Sequence, residues 1–405
     1  MMHGFQLDLL VFGGLLVGGA LISGVTHRSF LSLTALYVVA GIVLGDSGLQ
    51  VLDFSADDPF VEDLAVIALV LILFRDGLEV DAEMLQREWR APLRKLLLAM
   101  PITAGIIAVA AHNIVGLDWL EAFLLGALLS PTDPVLSQSV VTNPLVPRRV
   151  RHSLNLESGL NDGLALAPVI ALTAALSTTD GDFVWWRFIL EDLTIGLAAG
   201  VATGLLAAAL LPREDQLREI IPPHQRVLFA IGIVFASYGA LSYGGHGNGF
   251  IDVFVCAITL GIRRPDLRHH VEEGTKELTE IVKLGIFVVF GSIISFSGMF
   301  DHGLAAVAIV LITLLVARPV AIWLALLGVQ PPFDRATTAF MAWFGPKGVA
   351  TMTYSLFVLG AQVQGATEIT NLASLVVLTS IIVHGLTDHP GAIWMGRHAQ
   401  RTGAA

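Results

Sequence analysis

The chain has 405 residues, of which 55% are hydrophobic and only 14% charged, with a mean hydropathy of +0.75 and a formal net charge of −11. Ordinary globular proteins carry roughly 25% charged residues, so this composition excludes a soluble enzyme or a nucleic-acid-binding protein and points to an all-α integral membrane protein. The lone Cys256 allows no internal disulfide, and neither a cofactor nor a nucleic-acid partner is expected.

Apolar runs of roughly the length needed to cross about 30 Å of hydrocarbon recur along the whole chain. Thirteen are read, at 7–26, 29–45, 60–79, 91–111, 117–142, 150–177, 183–211, 225–242, 249–263, 277–299, 303–327, 333–359 and 368–388. The seventh is interrupted by Glu191 and Asp192. No basic residue precedes the first run, which is therefore expected to remain as a span and not to be removed as a signal peptide.

Basic residues gather on the cytoplasmic side of membranes. With the N-terminus outside, Arg28, Arg87, Arg90, Arg94, Lys95, Arg148, Arg149, Arg151, Arg213, Arg218, Arg226, Arg263, Arg264, Arg268, Lys276 and Arg335 all fall in cytoplasmic connections, and Arg397 and Arg401 in a tail. The expected topology in the cell membrane (inner or plasma) is N-terminus out and C-terminus in. The outer connections carry Asp46, Asp57, Asp118, Asp180 and Asp301 instead, either as ordinary solubilising loops or as a weak attractor of cations.

Two runs are broken. The fifth contains Leu129-Ser130-Pro131-Thr132-Asp133-Pro134-Val135, where two prolines remove amide donors, and the twelfth contains Phe344-Gly345-Pro346-Lys347-Gly348-Val349. Irregular backbone within a membrane is tolerated only inside protein or along a wet cavity. Each break lies in the middle run of a three-run group, 91–177 and 303–388, at a matching offset. This is the mark of inverted repeats whose two broken helices cross at the midplane. The crossing sets positive and negative half-helix ends against each other; Asp133 is placed to neutralise the former and Lys347 the latter.

The sixth run contains Leu156-Glu157-Ser158-Gly159-Leu160-Asn161-Asp162-Gly163. Ser158 and Asp162 are four apart, as are Glu157 and Asn161, so the four residues share one broad stripe of a helix facing the bundle interior. Removal from water disfavours a bare carboxylate, so Asp162 is expected to hold either a proton or a monovalent cation. Exclusive occupancy turns transport into exchange. Thr132, Ser158 and carbonyls freed at the fifth-run break are the expected further oxygen ligands. Glu157 needs a cationic partner, and Arg318 of the eleventh run is the candidate. The competing account of this stripe is a polar seam that only joins helices.

These residues resemble a known family. The Glu-Ser-Gly-Leu-Asn-Asp-Gly run, the Thr-Asp-Pro and Gly-Pro-Lys-Gly breaks, and Leu73-Phe74-Arg75-Asp76-Gly77-Leu78-Glu79 are similar to the monovalent cation:proton antiporters of the NhaP and sodium/hydrogen exchanger branch. The resemblance implies a thirteen-helix antiporter. Residues 91–177 and 303–388 would form a six-helix transport core moving against a dimer-forming scaffold of 1–80 and 183–299, with 389–405 as a short tail. It implies ion and proton binding at Asp162, with Asn161, Thr132, Asp133 and Ser158 as the other site positions, Glu157 with Arg318 as a structural ion pair, and one cation per proton because Asn161 brings no second charge. Lys347 departs from the arginine of many relatives, which removes a planar fork while keeping the charge. The ions implied are sodium or lithium, with potassium as the alternative, exchanged for protons in a lipid membrane by a homodimer. With so short a tail, regulation through it is not expected.

Lys283, one turn after Glu280, reads as a paired or snorkelling residue near the cytoplasm, and Arg75 with Glu79 as an interfacial pair. None of the twelve histidines is singled out, and Trp185 and Trp186 suit an interfacial belt. An intramembrane aspartyl hydrolase using Asp133 and Asp162 is a remote rival that leaves Lys347 and the second break without a purpose. A channel would be expected to repeat a filter loop, which is absent from the chain.

Overall fold

Among the residues that the computed structural model describes, 2–26, 33–56, 58–80, 89–133, 136, 138–177, 183–212, 221–244, 247–330 and 332–402, helix is found within every one of the apolar runs. Arg28, Asp57, Arg87, Pro134, Val135, Asp180, Arg213 and Arg218 lie outside these residues, as do the side chains of Glu79, His269 and His270. Among the described residues there is no strand. The helices are α1 (Met2–Thr26), α2 (Leu33–Leu44), α3 (Pro59–Glu79), α4 (Arg90–Val115), α5a (Trp119–Leu128) with α5b (Gln138–Thr142), α6 (Arg148–Ser177) and α7 (Trp185–Leu210). They continue with α8 (Pro223–Gly244), α9 (Gly249–Arg263), α10 (Pro265–Ile293), α11 (Leu304–Leu326), α12a (Arg335–Trp343) with α12b (Val349–Gly360), and α13 (Ala366–Thr402). Six of them are long and apolar enough to cross a membrane by length and composition. The protein is a multi-pass membrane protein.

Helix starts follow local chemistry. Asp58 accepts the amide of Phe60 ahead of Pro59 at the first turn of α3, and Asp118 with Glu121 forms a capping box at α5a. Asn248 accepts from Phe250 and Ile251 at α9, and Asp334 accepts from Thr337 at α12a. The acids that interrupt the seventh run, Glu191 and Asp192, sit in a π-helical stretch, Phe188–Leu193, and Glu191 pairs with Arg187 at 2.8 Å on an exposed face.

Packing sorts the helices. α10 lies against α2 and α3, and α9 against α3, α7 and α8. α5a lies against α4 and α6, α11 against α4 and α12a, and α12b against α13. The two sets meet where α3 touches α6 and α12b, and where α10 touches α12b. Glycines allow the closest approaches: a methyl group at Gly41 or Gly291 would strike the facing backbone of α10 or α2.

Two expectations about boundaries need correction. α10 begins at Pro265, well before residue 277, because the polar stretch ahead of the apolar run is itself helical with proline at its first turn. The segment from 389 onward continues α13 to Thr402 through Pro390. Ala392, Met395 and Ala399 are spaced along one face and buried, the first two in a cluster with Ile322 of α11 and Phe340 of α12a. A stripe this sparse, set among polar residues, reads as a tail in sequence and is a docked helix end in three dimensions.

Candidate functional site

The two breaks face each other and cap each other. The amide of Asp133 donates to the Pro346 carbonyl at 2.8 Å, joining the two irregular segments directly. The Asp133 carboxylate accepts the amide of Val349 at 3.0 Å, so its charge lies at the positive N-terminal end of α12b. In return, the Lys347 ammonium, fully buried, donates to the carbonyls of Ser130 at 3.2 Å and Pro131 at 3.0 Å, just past the C-terminal end of α5a. Thr351 adds a bond to the Leu128 carbonyl at 2.9 Å. At the other two ends, Arg318 donates to the Met341 and Phe344 carbonyls closing α12a, and Asp388 of α13 accepts the amide of Val140 in α5b. Helix ends leave backbone groups without partners, and side chains from other helices meet groups at every half-helix end here.

Two glycines make this crossing possible. A methyl group at Gly345 would overlap the guanidinium of Arg318, and one at Gly348 would overlap the carboxylate of Asp133. Because Arg318 is itself held by Glu157, it has little freedom to yield. Gly345→Ala is therefore expected to destabilise the protein by about 1–3 kcal/mol or more, read as a lower melting temperature in detergent. An unchanged melting temperature would show that the guanidinium is not held there.

The sequence-predicted stripe of α6 sits against this crossing. Asn161 donates from its amide to both the carbonyl and the hydroxyl of Thr132, at 3.0 and 2.8 Å. Asp162 is 9% exposed, and its Oδ1 is buried without a hydrogen-bond partner. Ser158 lies one helical turn earlier and is buried. The charged residues that act on Asp162 electrostatically are Asp76, Asp133 and Lys283. Tyr354 of α12b, fully buried, donates to the Asp162 backbone carbonyl at 2.6 Å, tying this turn of α6 to the second broken helix.

Glu157 meets Arg318 at 2.8 Å and also Lys95 of α4 at 2.6 Å, one cation on each carboxylate oxygen. Lys95 also donates to the Ser153 carbonyl at 2.8 Å. Lys95 was expected in a cytoplasmic connection; it is 1% exposed, inside the bundle. Both cations sit at the edge of π-helical stretches, Lys95–Ala99 in α4 and Thr313–Ala317 in α11. Such stretches shift the side-chain register and recur at functional sites. A small polar cavity with room for about one water molecule opens beside them, lined in part by Ser130, Glu157, Asn161 and Arg318.

Three residues of this region escape a reading of the sequence alone. Asp76 lies inside the Leu73–Glu79 stretch, where Arg75 and Glu79 read as an interfacial pair; an acid in a span is the available signal. Tyr354 carried no signal, since a tyrosine in an apolar run reads as core. Lys283, expected to pair with Glu280 or snorkel, is 6% exposed and acts electrostatically on Asp162, whereas Glu280 is exposed.

Residues 14–394 match the transmembrane sodium/hydrogen exchanger family. The chain belongs to that family. Its type is that of the NhaP cation:proton antiporters, a family of transporters and not of enzymes. The chain is 28% identical to the protein named K(+)/H(+) antiporter NhaP of Alkalimonas amylolytica, over 97% of this chain and 68% of that one. It is 26% identical to the K(+)/H(+) antiporter NhaP2 of Shewanella sp. (strain ANA-3), over 93% of this chain. The chain spans 65% of the length of that relative. The solved structure of the sodium proton antiporter MjNhaP1 from Methanocaldococcus jannaschii superposes with a TM-score of 0.81 at 18% identity, covering 97% of this chain and 99% of that one. The antiporter fold is therefore shared with MjNhaP1 almost end to end.

Proposed function

We propose that this chain exchanges one monovalent alkali cation for one proton, the two competing for the Asp162 carboxylate. The observation that carries this reading is a buried carboxyl with an oxygen lacking any hydrogen-bond partner, set beside crossed helix breaks. Loaded with a proton or with a cation, the site has the same total charge, so exchange is one for one and electroneutral. Asp76 contributes a second carboxyl that acts electrostatically on the first. Ser158 and Thr132 supply neutral oxygens to a sodium ion at Asp162, Thr132 using lone pairs left over from its bonds to Asn161. Asp133 and Lys347 compensate the half-helix ends, and Glu157 with Arg318 and Lys95 holds α6, α11 and α4 together.

In this reading, 91–177 with 303–388 moves against 1–80 with 183–299, the latter pairing two copies into a homodimer, in a cell membrane with the N-terminus outside. Sodium or lithium is the first assignment, since a carboxylate with hydroxyl neighbours replaces the water of a small ion. Potassium is the second, favoured by the K(+)/H(+) names of the curated relatives. Purified protein in liposomes containing a pH dye, with the membrane potential clamped at zero and a pH gradient imposed, separates them. Sodium or lithium dissipating the gradient supports the first assignment, potassium alone dissipating it moves the assignment to the second, and no response to any of the three contradicts antiport.

Asn161→Asp tests the charge count. A second carboxylate beside Asp162 is expected to make exchange respond to membrane potential; a variant as indifferent to potential as the parent would show that position 161 does not set the stoichiometry.

A further inference from the structure

We propose that Ser380 and His384, one turn apart on α13, are positioning residues for the cation site, acting through the backbone of the α12 break. The proposal rests on the antiporter reading above and assigns residues that the sequence did not single out. His384 is 2% exposed and its Nε2 lies 3.0 Å from the carbonyl of Trp343, the last residue of α12a. A carbonyl oxygen only accepts, so Nε2 carries the hydrogen and donates. That bond gives a second donor to a carbonyl at the end of the half-helix, which also accepts the Gly345 amide at 2.9 Å.

The other ring nitrogen, Nδ1, lies 3.1 Å from the Ser380 hydroxyl and 2.9 Å from the Ser380 carbonyl. In the neutral ring, Nδ1 accepts from the hydroxyl. The oxygen of that hydroxyl in turn accepts the backbone amide of Lys347 at 2.8 Å. Trp343 closes α12a and Lys347 lies within the break, so one turn of α13 holds the break at two points. The Trp343 indole adds a third hold, donating to Thr387 at 3.0 Å. The Nε2 bond to Trp343 persists whether Nδ1 accepts from the hydroxyl or donates to the carbonyl.

The clamp reaches the site in three steps. It fixes the backbone of Lys347; the ammonium of Lys347 holds the Ser130 and Pro131 carbonyls; and the next residue, Thr132, is bonded to Asn161 beside Asp162. Releasing Trp343 or Lys347 lets the crossing slacken and moves oxygens that a cation needs. Linked buried hydrogen bonds of this kind hold geometry more firmly than their separate strengths suggest.

The test compares the parent with His384→Ala, Ser380→Ala and His384→Gln in proteoliposomes, measuring half-saturating cation concentration and maximal rate, alongside hydrogen–deuterium exchange of residues 344–349 in detergent. Loss of one buried hydrogen bond is expected to raise the half-saturating concentration about five- to tenfold in the two alanine variants, with a smaller change in maximal rate. Amide exchange over 344–349 should rise with it. The glutamine amide can still donate to the Trp343 carbonyl, and His384→Gln is expected to return the half-saturating concentration to within about twofold of the parent. Alanine variants with the parent's half-saturating concentration and only a lower melting temperature would overturn the proposal, as would unchanged amide exchange over 344–349. If His384→Ala does not fold, Ser380→Ala and His384→Gln decide by the same readings. A parent that exchanges no cation would sink the antiporter reading instead, and the amide exchange would still report on the clamp.

Discussion

Asp162→Asn is expected to reduce cation-driven proton movement in proteoliposomes to the level of empty vesicles while leaving the protein folded. An amide has nearly the shape of the carboxyl but neither takes up a proton near neutral pH nor offers a negative charge to a cation. Asp162 receives no hydrogen bond at Oδ1 that the amide would sacrifice, and its neighbours Asp76 and Asp133 leave the pocket without an excess of positive charge. The melting temperature should therefore stay near that of the parent. Exchange at anything like the parent's rate in this variant would remove Asp162 from the mechanism and hand the role to Asp76.

Glu157→Gln is expected to have the largest effect on stability. The carboxylate holds two cations, Arg318 at 2.8 Å and Lys95 at 2.6 Å, at a position 5% exposed. Taking away one member of a buried ion pair costs about 3–5 kcal/mol, because the remaining charge keeps its desolvation penalty without its partner. Here two charges would be stranded, and the guanidinium that closes α12a would lose its anchor. Arg318→Ala should cost less, since Lys95 still serves Glu157, although the Met341 and Phe344 carbonyls lose their donor. The sharper check is the pair Glu157→Gln with Lys95→Met, which removes one stranded cation and should melt above Glu157→Gln alone. A double variant no more stable than the single one would show that Lys95 is not part of the ion cluster.

Much of this arrangement was legible in the sequence, for a physical reason. Charges and prolines are so expensive inside a bilayer that the few present, Glu157, Asp162, Arg318, Lys347 and the two breaks, stand out against an apolar background. The meeting of Glu157 with Arg318 follows from the need of each for a partner, and the placing of Asp133 and Lys347 from the helix ends they face. What escaped reading depends on three-dimensional position. Lys95 adjoins Arg94 at the head of its run and looks like loop; only the π-helical stretch at its position shows how it enters the bundle. His384 is one of twelve histidines and earns its place from Trp343 and Ser380, which lie far and near in sequence. Asp76 and Lys283 come from runs outside the three-run groups, so no internal symmetry marks them.

The central claim, that a proton and a cation exclude each other at one carboxylate, is tested most directly by proton release on binding. Purified protein in weakly buffered detergent with a pH indicator would be titrated with sodium, lithium and potassium chloride in turn, with choline chloride as the ionic-strength control and Asp162→Asn alongside. The expected result is release of a single proton per cation bound by the parent, saturating with the transported ion, and none from Asp162→Asn. Cation binding without proton release, or the same release from Asp162→Asn, would contradict it.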